Sequence, residues 1–95
     1  MRDYELVVVI SPDIEDENVT ISVDRFQGLI KEWGGKVQDV DNWGRRQLAY
    51  PIDRHKEGNY VVAQFSLPPD RVSELEDSLE RSEEVIRHLV VRREG

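Results

Sequence analysis

The sequence predicts an α+β fold, a ferredoxin-like two-layer sandwich in which a four-stranded antiparallel sheet carries both helices on one face. Three observations predict it. Apolar residues alternate at a period of two in some segments and recur at three and four in others. These segments follow one another as strand, helix, strand, strand, helix, strand. The first strand is apolar on both sides, as a central strand is. Right-handed crossovers then bring both helices to one face and leave the first and third strands in the middle. A chain of 95 residues is sized for one domain, 1–95, with a single core.

Each element has its own reason. Arg2 to Ile10 places Tyr4, Leu6, Val8 and Ile10 on one side and Val7 and Val9 on the other. Ser11-Pro12-Asp13 breaks the strand, and Asp13 or Asp16 is placed to cap a helix over 13–32. Val19, Val23, Phe26, Ile30 and Trp33 form the apolar stripe of that helix, which ends at Gly34-Gly35. Lys36 to Ile52 is a long strand interrupted near Trp43-Gly44, and Asp53 to Gly58 reads as a polar turn. From Tyr60 to Leu67, Val61, Ala63, Phe65 and Leu67 alternate with Tyr60, Val62 and Gln64. Pro68-Pro69-Asp70 opens a second helix over 69–84, with Val72, Leu75 and Leu79 as its stripe, and Val85 to Arg93 is the last strand.

Composition removes whole classes of function. There is no cysteine, which excludes disulfides, thiolate zinc sites and a cysteine nucleophile and fits a reducing cytoplasm. The longest apolar run, Leu6 to Ile10, is too short to span a bilayer, and the N-terminus lacks a signal-peptide pattern, so a soluble intracellular protein is expected. His55, in the polar turn, and His88, in the last strand, have no acidic residue at metal-ligand spacing. A glycine-rich phosphate loop is missing, and Ser11-Pro12-Asp13-Ile14 is not the arginine-bearing loop of an acyl-phosphate hydrolase. No catalytic residue, metal, cofactor or small-molecule substrate is expected. An RNA-recognition motif would need aromatics on the open face of its central strands, where only Tyr60 qualifies.

The net charge of −7 argues at first against nucleic acid, but its distribution does not. The two helical segments hold 13 acids and 4 bases, a sum of −9, while the remainder holds 7 acids and 9 bases, a sum of +2. Phosphate therefore has a place only on the sheet side and its loops. The same side leaves Val7, Val9, Tyr60, Val62, Leu89 and Val91 uncovered, more apolar surface than a monomer ordinarily shows. Trp33 closes the helix stripe and reads as core. Trp43, at the strand break, reads as a contact anchor.

The stretch Gly44-Arg45-Arg46-Gln47-Leu48-Ala49-Tyr50-Pro51-Ile52 concentrates the functional signal. Gly44 permits a bulge and Pro51 marks an edge strand. Arg45 and Arg46 are adjacent and point to opposite sides, and as surface residues each has Asp39 or Asp41 within reach as an ion-pair partner.

That stretch resembles the signature of the bacterial small-subunit ribosomal protein six family. Met1-Arg2-Asp3-Tyr4-Glu5 and Pro69-Asp70-Arg71-Val72 are similar to the same family in order and spacing. Two departures stand out: Asp53, where the family usually has a basic, small or amide residue, and the end at Gly95, without the tail many members carry. The resemblance implies a cytoplasmic, ribosome-associated structural protein that binds small-subunit ribosomal RNA jointly with small-subunit ribosomal protein eighteen and has no catalytic activity. On that reading the RNA contacts are Arg2, Arg45, Arg46, Arg87, Arg92 and Arg93, and the partner contacts are Val7, Val9, Trp43, Tyr60, Val62, Leu89 and Val91. The alternative is a dimeric alpha-plus-beta barrel enclosing a small ligand, which a mass of twice 11.1 kDa in solution would reveal.

Overall fold

A computed structural model describes residues 1–52 and 54–93; Asp53 and the terminus at Gly95, where the sequence departs from the resembled family, lie outside the described residues. Strand β1 (Arg2–Ile10) leads to helix α1 (Asp16–Glu32), then β2 (Lys36–Ile52), β3 (His55–Leu67), a single 3-10 turn (Pro69–Arg71), helix α2 (Val72–Arg81) and β4 (Val85–Arg92). The sheet order is β2-β3-β1-β4 and every pair is antiparallel, so β3 and β1 are central as expected.

The core lies between the sheet and the helices. Leu6, Val8 and Ile10 of β1 and Val61, Phe65 and Leu67 of β3 meet Val19, Phe26 and Ile30 of α1 and Leu75 and Leu79 of α2. Tyr4 stacks on Phe65 with ring centroids 5.7 Å apart. Each such side chain, taken out of water, contributes about 1.5–3 kcal/mol.

Several element ends differ from expectation. Helix α1 starts at Asp16, and its N-cap is Glu15 with no side-chain capping bond, so neither Asp13 nor Asp16 caps it. The Asp13 amide is instead satisfied by Ser11 Oγ at 3.2 Å, as in a tight turn. Helix α2 stops at Arg81: Ser82 is extended, and the amide of Val85 donates to the Ser82 carbonyl to form a turn. Here Glu84 tethers the turn to α1. Burial alone would raise its pKa, but its own backbone amide, Arg25 and Ser22 Oγ together hold the carboxyl below its ordinary value. The residues read as a polar turn are mostly strand, since β3 begins at His55 and pairs with β2 to the tip.

Candidate functional site

The β2-β3 hairpin outgrows the sheet and becomes an arm. Beyond the row of Ile10, Asn59 and Arg45, β2 and β3 go on pairing only with each other, as Arg46 with Gly58 and Gln47 with Glu57, closing at Ile52 with His55. Register shifts between Asn42 and Gly44 and between Gln47 and Ile52 bend it. At the first bend Gly44 takes φ +76, a left-handed conformation that favours glycine, and its amide donates to Asn42 Oδ1 at 2.9 Å.

The arm folds across the open face. Strands β2 and β4 are three spacings apart, about 14 Å, yet Arg87 Nη1 of β4 donates to the Tyr50 hydroxyl of β2 at 2.5 Å. Gly58 makes the crossing possible, because any side chain there would overlap a methyl of Val9 and approach Ile86. The consequence corrects one sequence expectation: Val9, placed on the open face by the alternation, is only 2% exposed because the arm lies over it. It is not available to a partner.

The remaining open-face residues fall into rows fixed by the pairing. Trp43 and Tyr60 stack with centroids 6.4 Å apart, and Tyr60 stands opposite Val9, itself opposite Arg87. The next row is Asp41, Val62, Val7 and Leu89, and the one after it holds Asp39, Gln64, Glu5 and Val91. Leu89 and Val91 are half-exposed, whereas Val7, Val62 and Tyr60 are partly covered.

The six candidate arginines divide into two groups at opposite ends of β1, about 26 Å apart by strand rise. Arg45, Arg46 and Arg87 lie at the arm end. Arg45 and Arg46 do point to opposite sides, but neither pairs with Asp39 or Asp41. Arg45 faces α1, donating to the Pro12 carbonyl at 2.7 Å and pairing with Glu57 at 3.4 Å, which makes it a strut between the arm and the β1-α1 loop. Asn59 adds a buried bond to the Ser11 carbonyl. Arg46 lies on the open side, bonded to the Trp43 carbonyl with its guanidinium 5.9 Å from the indole centroid, while Asp41 accepts from the indole N–H. Among the described residues neither Arg46 nor Arg87 has a carboxylate at ion-pair distance.

Arg2, Arg92 and Arg93 stand at the other end. Arg2 pairs with Leu67 and Arg92 with Tyr4, which puts both on the helix side. Arg93 belongs to a closed polar cluster: Asp3 accepts from Ser66 Oγ at 2.6 Å and from Gln38, and Arg93 reaches both the Asp3 carbonyl and Gln38. The Ser66 and Gln38 hydrogen bonds, with Arg93 nearby, keep the Asp3 carboxyl below its ordinary pKa.

Tyr50, Arg54 and Lys56 join the candidate site residues here. Tyr50 is 57% exposed. Arg54, at the tip with φ +72, and Lys56 add positive charge to the arm. The signal available was length: a strand of 17 residues needs a partner longer than the eight from Tyr60 to Leu67. His55 is in a strand, and His88 Nε2 lies 3.1 Å from Glu80 on α2.

An open sheet with a basic arm and an apolar strip has the layout of a binding surface, and the class it defines is a ferredoxin-like α+β module. The family profile for ribosomal protein S6 matches residues 3–92. The small ribosomal subunit protein bS6 of Moorella thermoacetica is 45% identical over 94 residues, covering 99% of this chain and 96% of that one. That of Desulforamulus reducens is 38% identical over 92 residues, covering 97% of each. The crystal structure of 30S ribosomal protein S6 from Thermotoga maritima superposes with a TM-score of 0.93 at 33% identity, covering 97% of this chain and 87% of that one. The chain therefore belongs to the ribosomal protein S6 family: a structural, ribosome-associated protein of the cytoplasm and not an enzyme. The ligand-enclosing dimeric barrel falls with that assignment.

Proposed function

We propose that this protein binds small-subunit ribosomal RNA together with small-subunit ribosomal protein eighteen, as a structural part of the small subunit. The observation that carries the reading is the arm end of the open face, where Arg46 and Arg87 are held by neutral partners and keep their charge for an external anion. Beside it, Val7, Val62, Leu89 and Val91 offer the partner an apolar strip, with Trp43 and Tyr60 as anchors at its rim. Arg2 and Arg92, on the helix side, and Arg93, held in the Asp3 cluster, are outlying candidates set apart from this surface. The net charge of −7 means that the lone protein releases few counterions, so a basic partner docked on the strip supplies the charge that the pair needs.

Filter binding of a small-subunit ribosomal RNA fragment, as a function of salt and with and without protein eighteen, tests this. The pair should bind tightly and the lone protein weakly. Arg46→Ala should lower the salt slope of the pair by about 0.7–0.9, the loss of one phosphate contact. Arg45→Ala should weaken binding with little change of slope, since its guanidinium is a strut. Leu89→Lys should abolish the gain from the partner. Tight binding by the lone protein, or an Arg46→Ala pair identical to the unaltered one, would refute the proposal.

A further inference from the structure

We propose that Tyr50 is a stacking platform for one unpaired nucleobase, with Arg87 beside it to meet that nucleotide's phosphate. The inference builds on the RNA reading of the arm and specifies what the arm takes: an unstacked nucleotide in place of continuous duplex. Tyr50 lies in the stretch between the pair Gln47 and Glu57 and the closing pair Ile52 and His55, where the β2-β3 register shifts. The residue is 57% exposed, yet the direction of its side chain is fixed, because Arg87 Nη1 donates to its hydroxyl at 2.5 Å. The guanidinium carbon is 5.8 Å from the ring centroid. A guanidinium lying flat on the ring would approach within about 4 Å, so Arg87 sits off the hydroxyl edge and leaves the ring open to stacking.

The surroundings select the occupant. Among the described residues Arg87 has no carboxylate at ion-pair distance, and the same arm carries Arg46, Arg54 and Lys56. An open aromatic ring set in cationic charge is complementary to a nucleotide, which presents a flat base and an anion a few ångströms apart, and this combination binds single strands. Paired A-form RNA hides its base faces inside the stack, so a duplex cannot use the ring. A protein anchor would instead favour apolar neighbours, and those are on the Leu89 and Val91 strip, one and two rows from the Arg87 row.

The test uses this protein paired with protein eighteen and two probes, a small-subunit ribosomal RNA fragment with unpaired nucleotides and a fully paired RNA of equal length. Tyr50→Leu should lower affinity for the fragment roughly 5- to 150-fold, the span for losing one stacked base, and leave the paired RNA unaffected. Tyr50→Phe and Tyr50→Trp, which keep a flat ring, should bind the fragment nearly as the unaltered protein does. Ultraviolet crosslinking with mass spectrometry should find a nucleotide adduct on Tyr50. Full affinity of Tyr50→Leu overturns the inference while leaving RNA binding intact. So does an equal loss for Phe and Trp, which would assign the effect to the lost Arg87 tether, and so does a Tyr50→Leu defect in binding protein eighteen without RNA. If the unaltered pair fails to bind the fragment, the RNA reading itself falls and takes this inference with it.

Discussion

The two ends of the open sheet face are built from similar residues and reach opposite electrostatic states. At the Arg2 end, Asp3, Ser66, Gln38 and Arg93 form one hydrogen-bonded cluster, in which the Arg93 guanidinium rests on Gln38 close enough to help hold the Asp3 carboxyl ionised. At the arm end, Arg46 and Arg87 are oriented by a backbone carbonyl and a phenol, partners that fix a guanidinium without neutralising it. Hydrogen bonding and charge compensation are separable, and a surface that must meet an external anion needs the first without the second. The first end closes the sheet; the second leaves it charged.

The largest perturbation should erase the contrast by removing what both ends stand on. Phe26 is 3% exposed in the shared core, and Phe26→Ala should cost about 3–5 kcal/mol in chemical denaturation, loosening both ends alike. A loss confined to one end in hydrogen exchange would show that the two are separate cooperative units.

A smaller change should act on one end alone. Gly58→Ala places a methyl against Val9 where the arm crosses, and overpacking of this kind costs about 1–3 kcal/mol. Amide exchange should rise over 44–58 and stay unchanged around Asp3 and Ser66. Equal exchange at both ends would mean that the arm is not seated on Val9.

How much of this was legible follows from the same division. Strand β1 has the bounds read from the sequence because Leu6, Val8 and Ile10 are buried against helices, and burial writes a period of two into a sequence. The arm leaves the core behind, and its β3 half, His55 to Gly58, is held by backbone bonds with no apolar alternation, so it reads as a turn. The burial of Val9 depends on the arm crossing it at Gly58, with Tyr50 reaching Arg87 past two intervening strands, which no local pattern encodes. Arg45 and Arg46 were visible as an adjacent pair with opposite directions. Which was strut and which contact depended on the Pro12 carbonyl, 33 residues away in sequence.

The smallest effect should be a difference in acid response. The folded pKa of Asp3 is lowered from 3.8, chiefly by the Ser66 hydrogen bond, so its contribution to stability is present above that pH and is lost as pH falls through the lower folded value. Asp3→Asn should flatten that acid limb in pH-dependent denaturation while the exchange of arm amides is unmoved. An unchanged acid limb would mean that the Asp3 cluster does not hold in solution.

The acidic helical layer bears on how the protein arrives. With −9 over 13–32 and 69–84, the helices with their flanking turns, and +2 elsewhere, the molecule is an electric dipole across its thickness. Near a polyanion this asymmetry exerts a torque, turning the helices outward and the sheet inward before any contact forms. Screening confines the effect to the last 8 Å or so at physiological salt. Within that distance, wrong-way encounters are repelled before they can stick, and the time otherwise spent on misdocked collisions is saved.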